Sequence, residues 1–226
     1  MQFKSFINII ILLSTLVWTN DSLATPITIE STFDGNSEGW GRSGDSGSSL
    51  RYSNGNGGFI YIQDAASGIV DWFIAPSKFQ GNLSNFLDGF FSFDIRLSIL
   101  SNPTAGIPFA TIRSSIGELQ TAIRVSNPIQ DLKAGQWSTL SFQLTPDSWL
   151  LNGRTPNLTE FASILSSVNQ IRILGDWRSG TETVSLDNVK LSGNVHAVPE
   201  PSTAGALLLG VIGLSLLYGR RASNNV

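Results

Sequence analysis

Apolar and polar residues alternate over many short stretches of the chain, which is the pattern of strands with one buried face. The clearest stretch is Phe91–Leu97, in which every second residue is large and apolar and the residues between are polar. Gly, Asn, Asp and Ser residues separate the stretches, as is typical of turns. The pattern predicts strands over 27–33, 59–64, 70–76, 91–97, 111–113, 119–125, 137–144, 170–174 and 184–191.

One segment has the spacing of a helix. Phe161, Ile164 and Leu165 recur on one helical face, and Asn157 or Thr159 can cap the N-terminus. We therefore predict a helix over 159–168. Many short strands with one late helix predict an all-β protein, an antiparallel β-sandwich of the jelly-roll type.

The last predicted strand contains an irregularity. Its apolar positions change parity between Leu186 and Val189. Because side chains alternate between the two faces of a strand, such a change predicts a bulge or bend at Asp187-Asn188.

Residues 1–24 have the organisation of a signal peptide. Lys4 supplies the positive charge, Phe6–Val17 is almost wholly apolar, and Ser22-Leu23-Ala24 is a small-residue cleavage site. We predict export through the Sec pathway and a mature chain that begins near Thr25. The alternative is an uncleaved N-terminal anchor.

The other end of the chain combines three features. Pro199-Glu200-Pro201 is extended by its prolines, an apolar run follows over 204–218, and Arg220-Arg221 supply a cytoplasmic positive charge. The apolar run is roughly 15 residues long, short of the roughly 20 that span a bilayer, so the arginines are expected to snorkel. We assign 194–203 to the linker and motif, and 204–226 to the membrane segment and basic tail.

This tail resembles the PEP-CTERM sorting signal of exported bacterial proteins. The resemblance implies an exosortase-type processing enzyme as a partner. It also implies transient residence in the inner membrane, followed by the cell surface or the extracellular matrix. The alternative is an ordinary single-span anchor, which needs no Pro-Glu-Pro motif.

Between these segments, 25–193 provides about 170 residues, enough for one domain with a sizeable core. The chain has no cysteine, so an exported domain of this sequence is stabilised by packing or by a bound ion. The net charge of -3, without a basic cluster in the domain, excludes a nucleic-acid binder. A Ser/His/Asp triad would need His196, the only histidine, which lies in the linker.

The domain resembles the laminin B domain, also called laminin IV type A. The matching pieces keep their order along the chain, and they are Asp71–Phe79, Phe91–Asp94, Trp137, Gln170–Asp176 and Ser185–Val189. The resemblance implies a fold like that of carbohydrate-binding modules, a place in extracellular matrix proteins and no catalysis. Because cysteines and EGF-like neighbours are missing, only the fold and the extracellular context carry over.

We predict a non-catalytic surface or matrix protein that binds an extracellular polysaccharide. Trp40, Trp72, Trp149 and Trp177 are candidate stacking platforms for sugars, although tryptophan is also a favoured core residue. Trp149 and Trp177 are the predicted ligand-binding residues because both lie beside turn-rich segments. A structural matrix component without a specific ligand fits the sequence equally well.

A secreted polysaccharide hydrolase is the alternative. Glycoside hydrolysis needs two carboxylates that face a common cleft, and the domain has many Asp and Glu residues. None of these acids lies in a recognisable catalytic motif, so the prediction is that the protein is not an enzyme.

A structural calcium ion is also predicted. If the first and last strands lie side by side, Asp34 and Asp187 meet, and Glu30 and backbone carbonyls can add oxygen ligands. The ordinary alternative is that Asp34 begins an Asp-Gly turn and Asp187 accepts backbone hydrogen bonds at the bulge.

Overall fold

Two antiparallel sheets of six strands each enclose a core of apolar side chains. The computed structural model describes residues 25–64, 68, 70–126 and 132–195, and Thr25–Val195 form one compact unit. Sheet A contains β1 (Thr25–Ser31), β3 (Ser49–Ser53), β4 (Phe59–Asp64), β6 (Phe90–Leu97), β9 (Ser138–Gln143) and β12 (Glu182–Val195). Sheet B contains β2 (Gly41–Ser43), β5 (Trp72–Ile74), β7 (Ala110–Ser114), β8 (Gly117–Thr121), β10 (Trp149–Leu151) and β11 (Val168–Leu174).

The predicted all-β sandwich with one helix is confirmed. Sheet A has the order β3-β4-β12-β6-β9, with β1 also on β12, and sheet B has the order β10-β8-β7-β11-β5-β2. The long alternating stretches are strands within a few residues of their predicted bounds. The alternation did not predict β2, β3 and β10, because β2 and β10 have only three residues and β3 is rich in Ser.

The helix α1 spans Leu158–Leu165. A capping box holds its start: the Asn157 side chain accepts from the Glu160 N–H, and the Glu160 carboxylate accepts from the Asn157 N–H, both at 2.9 Å. The predicted end at residue 168 is wrong. Val168 already begins β11, because its N–H donates to the Gly81 carbonyl at 2.9 Å.

The first and last strands are neighbours, which is the condition on which the calcium prediction rests. β1 pairs with β12 from Thr25↔Val195 to Ser31↔Val189, and β4 pairs with the preceding half of β12. The register of β12 against β6 shifts between Asp187 and Lys190, which confirms the predicted bulge. Asn188 takes a positive φ of 47° there.

Among the described residues no helix is long and apolar enough to cross a membrane. The predicted signal peptide, His196, the motif Pro199-Glu200-Pro201 and the segment with Arg220 and Arg221 lie outside the described residues.

Candidate ligand-binding face

The two tryptophans predicted to bind ligand are core residues. Trp149 and Trp177 both have 0% exposure, so the prediction that they form a stacking platform is wrong. The indole N–H of Trp149 donates to the Gln143 carbonyl at 2.9 Å, and that of Trp177 donates to the Leu174 carbonyl at 3.0 Å. Both rings are therefore satisfied inside the domain, and neither can contact a polysaccharide.

The other two candidates differ from each other. Trp40 is 4% exposed, and its indole N–H donates to the Ser31 hydroxyl, so it belongs to the core. Trp72 is half-buried on the outer face of sheet B, and the Arg172 guanidinium lies 4.7 Å from its ring centroid.

The outer face of sheet A carries a group of aromatic rings that we call the aromatic face: Phe59, Tyr61 and Trp137, together with Arg96. Phe59 and Tyr61 point outward because the alternate residues Ile60 and Ile62 are buried. The Phe59 ring lies 5.6 Å from Trp137 and 6.0 Å from Tyr61, measured between centroids. Trp137 is 36% exposed, more than any other tryptophan in the described part of the chain.

Arg96 joins these rings. Its guanidinium carbon lies 4.7 Å from the Phe59 centroid and 4.6 Å from the Trp137 centroid, so the cation is held between two rings. Its Nη2 donates to the Ser185 hydroxyl at 3.4 Å. Ser185 is Arg96's partner on β12, and its small side chain leaves room for the rings to approach above it. Within the described residues, Arg96 forms no ion pair.

An open depression adjoins Arg96. Its volume is about 280 Å³, and its lining consists of Arg96, Ser98, Gly135, Thr183 and Ser185. Ser98 is held in place, because its hydroxyl accepts from the Thr183 N–H at 2.9 Å. Within the part of the chain that the structure describes, the lining therefore presents one guanidinium and three hydroxyl groups and no acidic side chain.

The outer face of sheet B is organised differently. Glu118 there accepts from Arg172 at 2.9 Å and pairs with Arg113 at 2.7 Å. Gln120 donates to the same carboxylate, and Arg172 also donates to the Thr111 hydroxyl. Burial lowers the pKa of Arg172, and Arg113 adds to that effect, while Glu118 opposes it. Arg113 and Arg172 therefore both have Glu118 as a carboxylate partner.

Asp187, one of the two acids of the calcium prediction, is the cross-strand partner of Asp94, and the charge of Asp34, the other acid, acts on it. Burial raises the pKa of Asp187 to about 6, and the charges of Asp94, Asp34 and Glu38 contribute. Protein donors already serve several of these oxygens, since Asp187 accepts from the Asn188 N–H and Asp34 from the Thr32 hydroxyl.

Asp94 accepts from Thr139 and Asn188. No three Asp, Glu or His side chains in the described ranges form a metal-holding group. The backbone hydrogen bond expected of Asp187 at the bulge is present, and the calcium ion stays a prediction.

A second acidic group lies inside one end of the sandwich, where β4 ends and β12 begins. Asp71 is fully buried and pairs with Arg42, and Glu182 is 4% exposed and accepts from the Trp177 N–H. Burial raises the pKa of Glu182 to about 7 and that of Asp176 to about 6, and neighbouring carboxylates add to both shifts. Among the described residues, Asp71 Oδ2, Asp176 Oδ1 and Glu182 Oε2 are buried without a hydrogen-bond partner.

The aromatic face was not predicted as a site from the sequence, although a signal for it exists. Phe59–Ile62 is apolar at four successive positions. A strand of a two-layer sandwich buries only one face, so large apolar residues at both parities indicate that one set, the two rings or the two isoleucines, lies on the outer face.

One family model and several solved structures are similar to this chain. The family model "Laminin B (Domain IV)" matches residues 72–206, more than half of the chain. A solved structure, the L4b domain of human laminin alpha-2, is 16% identical with a TM-score of 0.47, covering 54% of this chain and 70% of that chain.

A family 11 carbohydrate-binding module of the cellulosomal cellulase Lic26A-Cel5E of Clostridium thermocellum is 18% identical with a TM-score of 0.47. The match covers 73% of this chain and 95% of the module. The CBM22-1 xylan-binding domain of Paenibacillus barcinonensis Xyn10C is 11% identical with a TM-score of 0.42. The match covers 75% of this chain and 95% of that domain. No curated protein matches the chain.

Proposed function

Because the chain belongs to the laminin B (domain IV) family, we propose that it is a non-catalytic extracellular domain that binds a polysaccharide through the aromatic face of sheet A. The observation that carries this proposal is the group of Phe59, Tyr61 and Trp137 on one outer face, with a hydroxyl-lined depression beside it.

The chemistry of this face suits a sugar polymer. The apolar C–H face of a pyranose ring packs on an aromatic ring, and its hydroxyl groups need hydrogen-bonding partners at the edges. Trp137 and Phe59 supply ring surface. Ser98, Thr183 and Ser185 supply hydroxyl groups in the depression. A largely preformed site of this kind loses little conformational freedom on binding.

Variants of the exposed rings test the proposal. Electrophoresis of the purified protein through gels that contain one polysaccharide each measures retardation as a binding constant. Trp137→Ala and Phe59→Ala should each weaken binding roughly tenfold, which corresponds to about 1.4 kcal/mol. Trp72→Ala, on the outer face of sheet B, is the matched control and should bind as the unaltered protein does.

Two results would contradict this assignment. If Trp72→Ala weakens binding and Trp137→Ala does not, the ligand lies on sheet B. If none of a broad panel of neutral and acidic polysaccharides retards the unaltered protein, the alternative of a structural matrix component without a specific ligand is favoured.

A polysaccharide hydrolase remains the alternative of a different class, with Asp94 and Asp187 as its acids. They are partners across β6 and β12, and the pKa of Asp187 is raised to about 6. Release of reducing ends from a bound polysaccharide, abolished by Asp187→Asn, would establish it. We propose instead that bound polymer keeps its length.

For export, we propose that the tail is a sorting signal read by an exosortase-type enzyme after passage through the Sec pathway. The protein then resides briefly in the inner membrane before it reaches the cell surface or matrix. The support is the sequence of Pro199-Glu200-Pro201, the apolar run and Arg220-Arg221. Glu200→Ala should leave the full-length form in the inner membrane, while Ser202→Ala, the control, should be processed. Normal processing of Glu200→Ala would favour an ordinary anchor.

A further inference from the structure

Resting on the proposed polysaccharide binding, we infer that the ligand of the aromatic face is a polyuronate, and that one of its carboxylates binds Arg96 in the adjoining depression. The inference concerns the charge of the polymer, which the aromatic rings alone do not specify.

Aromatic rings hold the Arg96 guanidinium in place, and no carboxylate of the described residues forms an ion pair with it. Phe59 and Trp137 flank its guanidinium at 4.7 Å and 4.6 Å, which restricts the rotamers of a long side chain before any ligand arrives. The nearest acid on the same face of β6 is Asp94, and its two oxygens accept from Thr139 and Asn188. In the described part of the chain no carboxylate pairs with Arg96.

The depression suits a carboxylate. A planar guanidinium forms paired hydrogen bonds with a carboxylate, and such charge-assisted bonds are the stronger kind. Ser98, Thr183 and Ser185 line the same space, and among the described residues no acidic side chain joins them to repel an anion. Its volume of about 280 Å³ is at the small end for ligand pockets, which fits a single sugar unit of a longer chain.

A second cation lies in the same row of the sheet. Arg51 is the partner of Tyr61, Tyr61 of Ser185, and Ser185 of Arg96. Three inter-strand spacings therefore separate the two arginines, about 14 Å along the row. Arg51 is exposed, and its Nε donates to the Ser49 hydroxyl. A polymer that crosses the strands along this row meets both positive charges and the ring of Tyr61 between them.

The experiment uses three polyuronates as probes, polygalacturonate, alginate and hyaluronate, each beside its carboxyl-reduced form. Reduction turns each carboxylate into a neutral alcohol and keeps the backbone of the polymer. We expect the purified protein to bind at least one polyuronate. The carboxyl-reduced form of that polymer should bind at least roughly tenfold more weakly.

Variants of Arg96 test whether this residue causes the difference in affinity between a polyuronate and its carboxyl-reduced form. Arg96→Gln should bind the polyuronate as weakly as it binds the reduced polymer, and Arg96→Lys should lie between, because it keeps the charge and loses the planar fork. Arg113→Gln, on sheet B, is the matched control and should keep the full difference. Unaltered melting temperatures show that each variant is folded.

The outcomes separate this inference from the proposed function. Equal binding of a polyuronate and its reduced form, or an unchanged difference in Arg96→Gln, would overturn the inference while polysaccharide binding stands. Binding of neutral polymers alone would do the same. If no polymer of either kind retards the unaltered protein, both fall.

Discussion

Arg96 on sheet A and Arg172 on sheet B make the same aromatic contact in opposite electrical settings. The guanidinium of Arg172 lies 4.7 Å from the Trp72 ring, and that of Arg96 lies 4.6 Å from Trp137. Glu118 pairs with both Arg172 and Arg113, whereas Arg96 faces a depression lined by hydroxyl groups. The difference teaches that a stacked arginine keeps its place with or without a carboxylate, and that an arginine without one keeps its charge available for another partner.

The largest expected effect is a change in the stability of the fold with pH that leaves ligand binding unchanged. The pKa of Glu182 is about 7 in the folded domain and near its ordinary 4.5 in the unfolded chain. The folded state therefore holds a proton that the unfolded state has lost, so stability falls as pH rises from about 4.5 through about 7. For Glu182 alone this amounts to on the order of 2 to 3 kcal/mol.

Thermal unfolding at pH 5 and pH 8 measures this effect. The melting temperature should be several degrees higher at pH 5, and Glu182→Gln should reduce the difference. Arginine side chains stay charged throughout this range. Affinity for a polyuronate should therefore change little between the two conditions. A melting temperature that rises with pH would contradict the assignment of Glu182 as a buried, protonated acid.

Glu118→Gln makes Arg172 resemble Arg96. Two arginines lose their carboxylate, and Arg172 is half-buried, so the free energy of unfolding should fall by about 1 to 2 kcal/mol. Chemical denaturation measures it, with Asp147→Asn at an exposed position as the control. Equal stability of Glu118→Gln and the control would show that the network on sheet B contributes little to the fold.

Ser98→Asp makes Arg96 resemble Arg172. The new carboxylate would stand in the depression next to the guanidinium, and affinity for a polyuronate should drop roughly tenfold, about 1.4 kcal/mol. The carboxyl-reduced polymer should bind as before, because its contacts involve no charge. Ser101→Asp, a nearby exposed position outside the lining, provides the control. Undiminished polyuronate binding by Ser98→Asp would contradict a carboxylate site at this place.

Calcium gives the smallest expected effect and tests the acids on sheet A. If Asp34 and Asp187 share an ion, chelation at pH 7.5 should lower the melting temperature by a few degrees, on the order of 1 kcal/mol. The pKa of Asp187 is about 6 without an ion, so the effect of calcium should fade at pH 5, where this carboxyl is protonated. Asp187→Asn should abolish it, and an unchanged melting curve with chelator would leave the turn and the bulge as the roles of these acids.

The sequence predicted the features that local alternation encodes. Side-chain parity alone predicts the strand Phe90–Leu97 and the bulge after Asp187. The pairing of the first and last strands was only a possibility that a sandwich offers, and the structure contains it. The start of α1 was predictable because Asn157 and Glu160 lie close together in the chain.

The sequence did not predict which aromatic rings are buried or which arginines have a carboxylate partner. Trp149 stands in a turn-rich segment, yet that segment folds back as β10 and carries the ring into the core. Glu118 reaches Arg172 across 54 residues of chain, a pairing that no local pattern contains. The burial of a tryptophan and the ion pairing of an arginine both depend on side chains from strands that are distant in the sequence and adjacent in the fold.

The pairing of Thr25 with Val195 has a mechanical consequence. β12 lies between β6 on one side and β1 and β4 on the other, and its last residue continues into the C-terminal segment. A pull on Val195 against the rest of sheet A would draw this strand lengthwise between its neighbours. Its ladder bonds would then share the load in shear and would not open one after another, so the fold resists tension applied at this end of the domain.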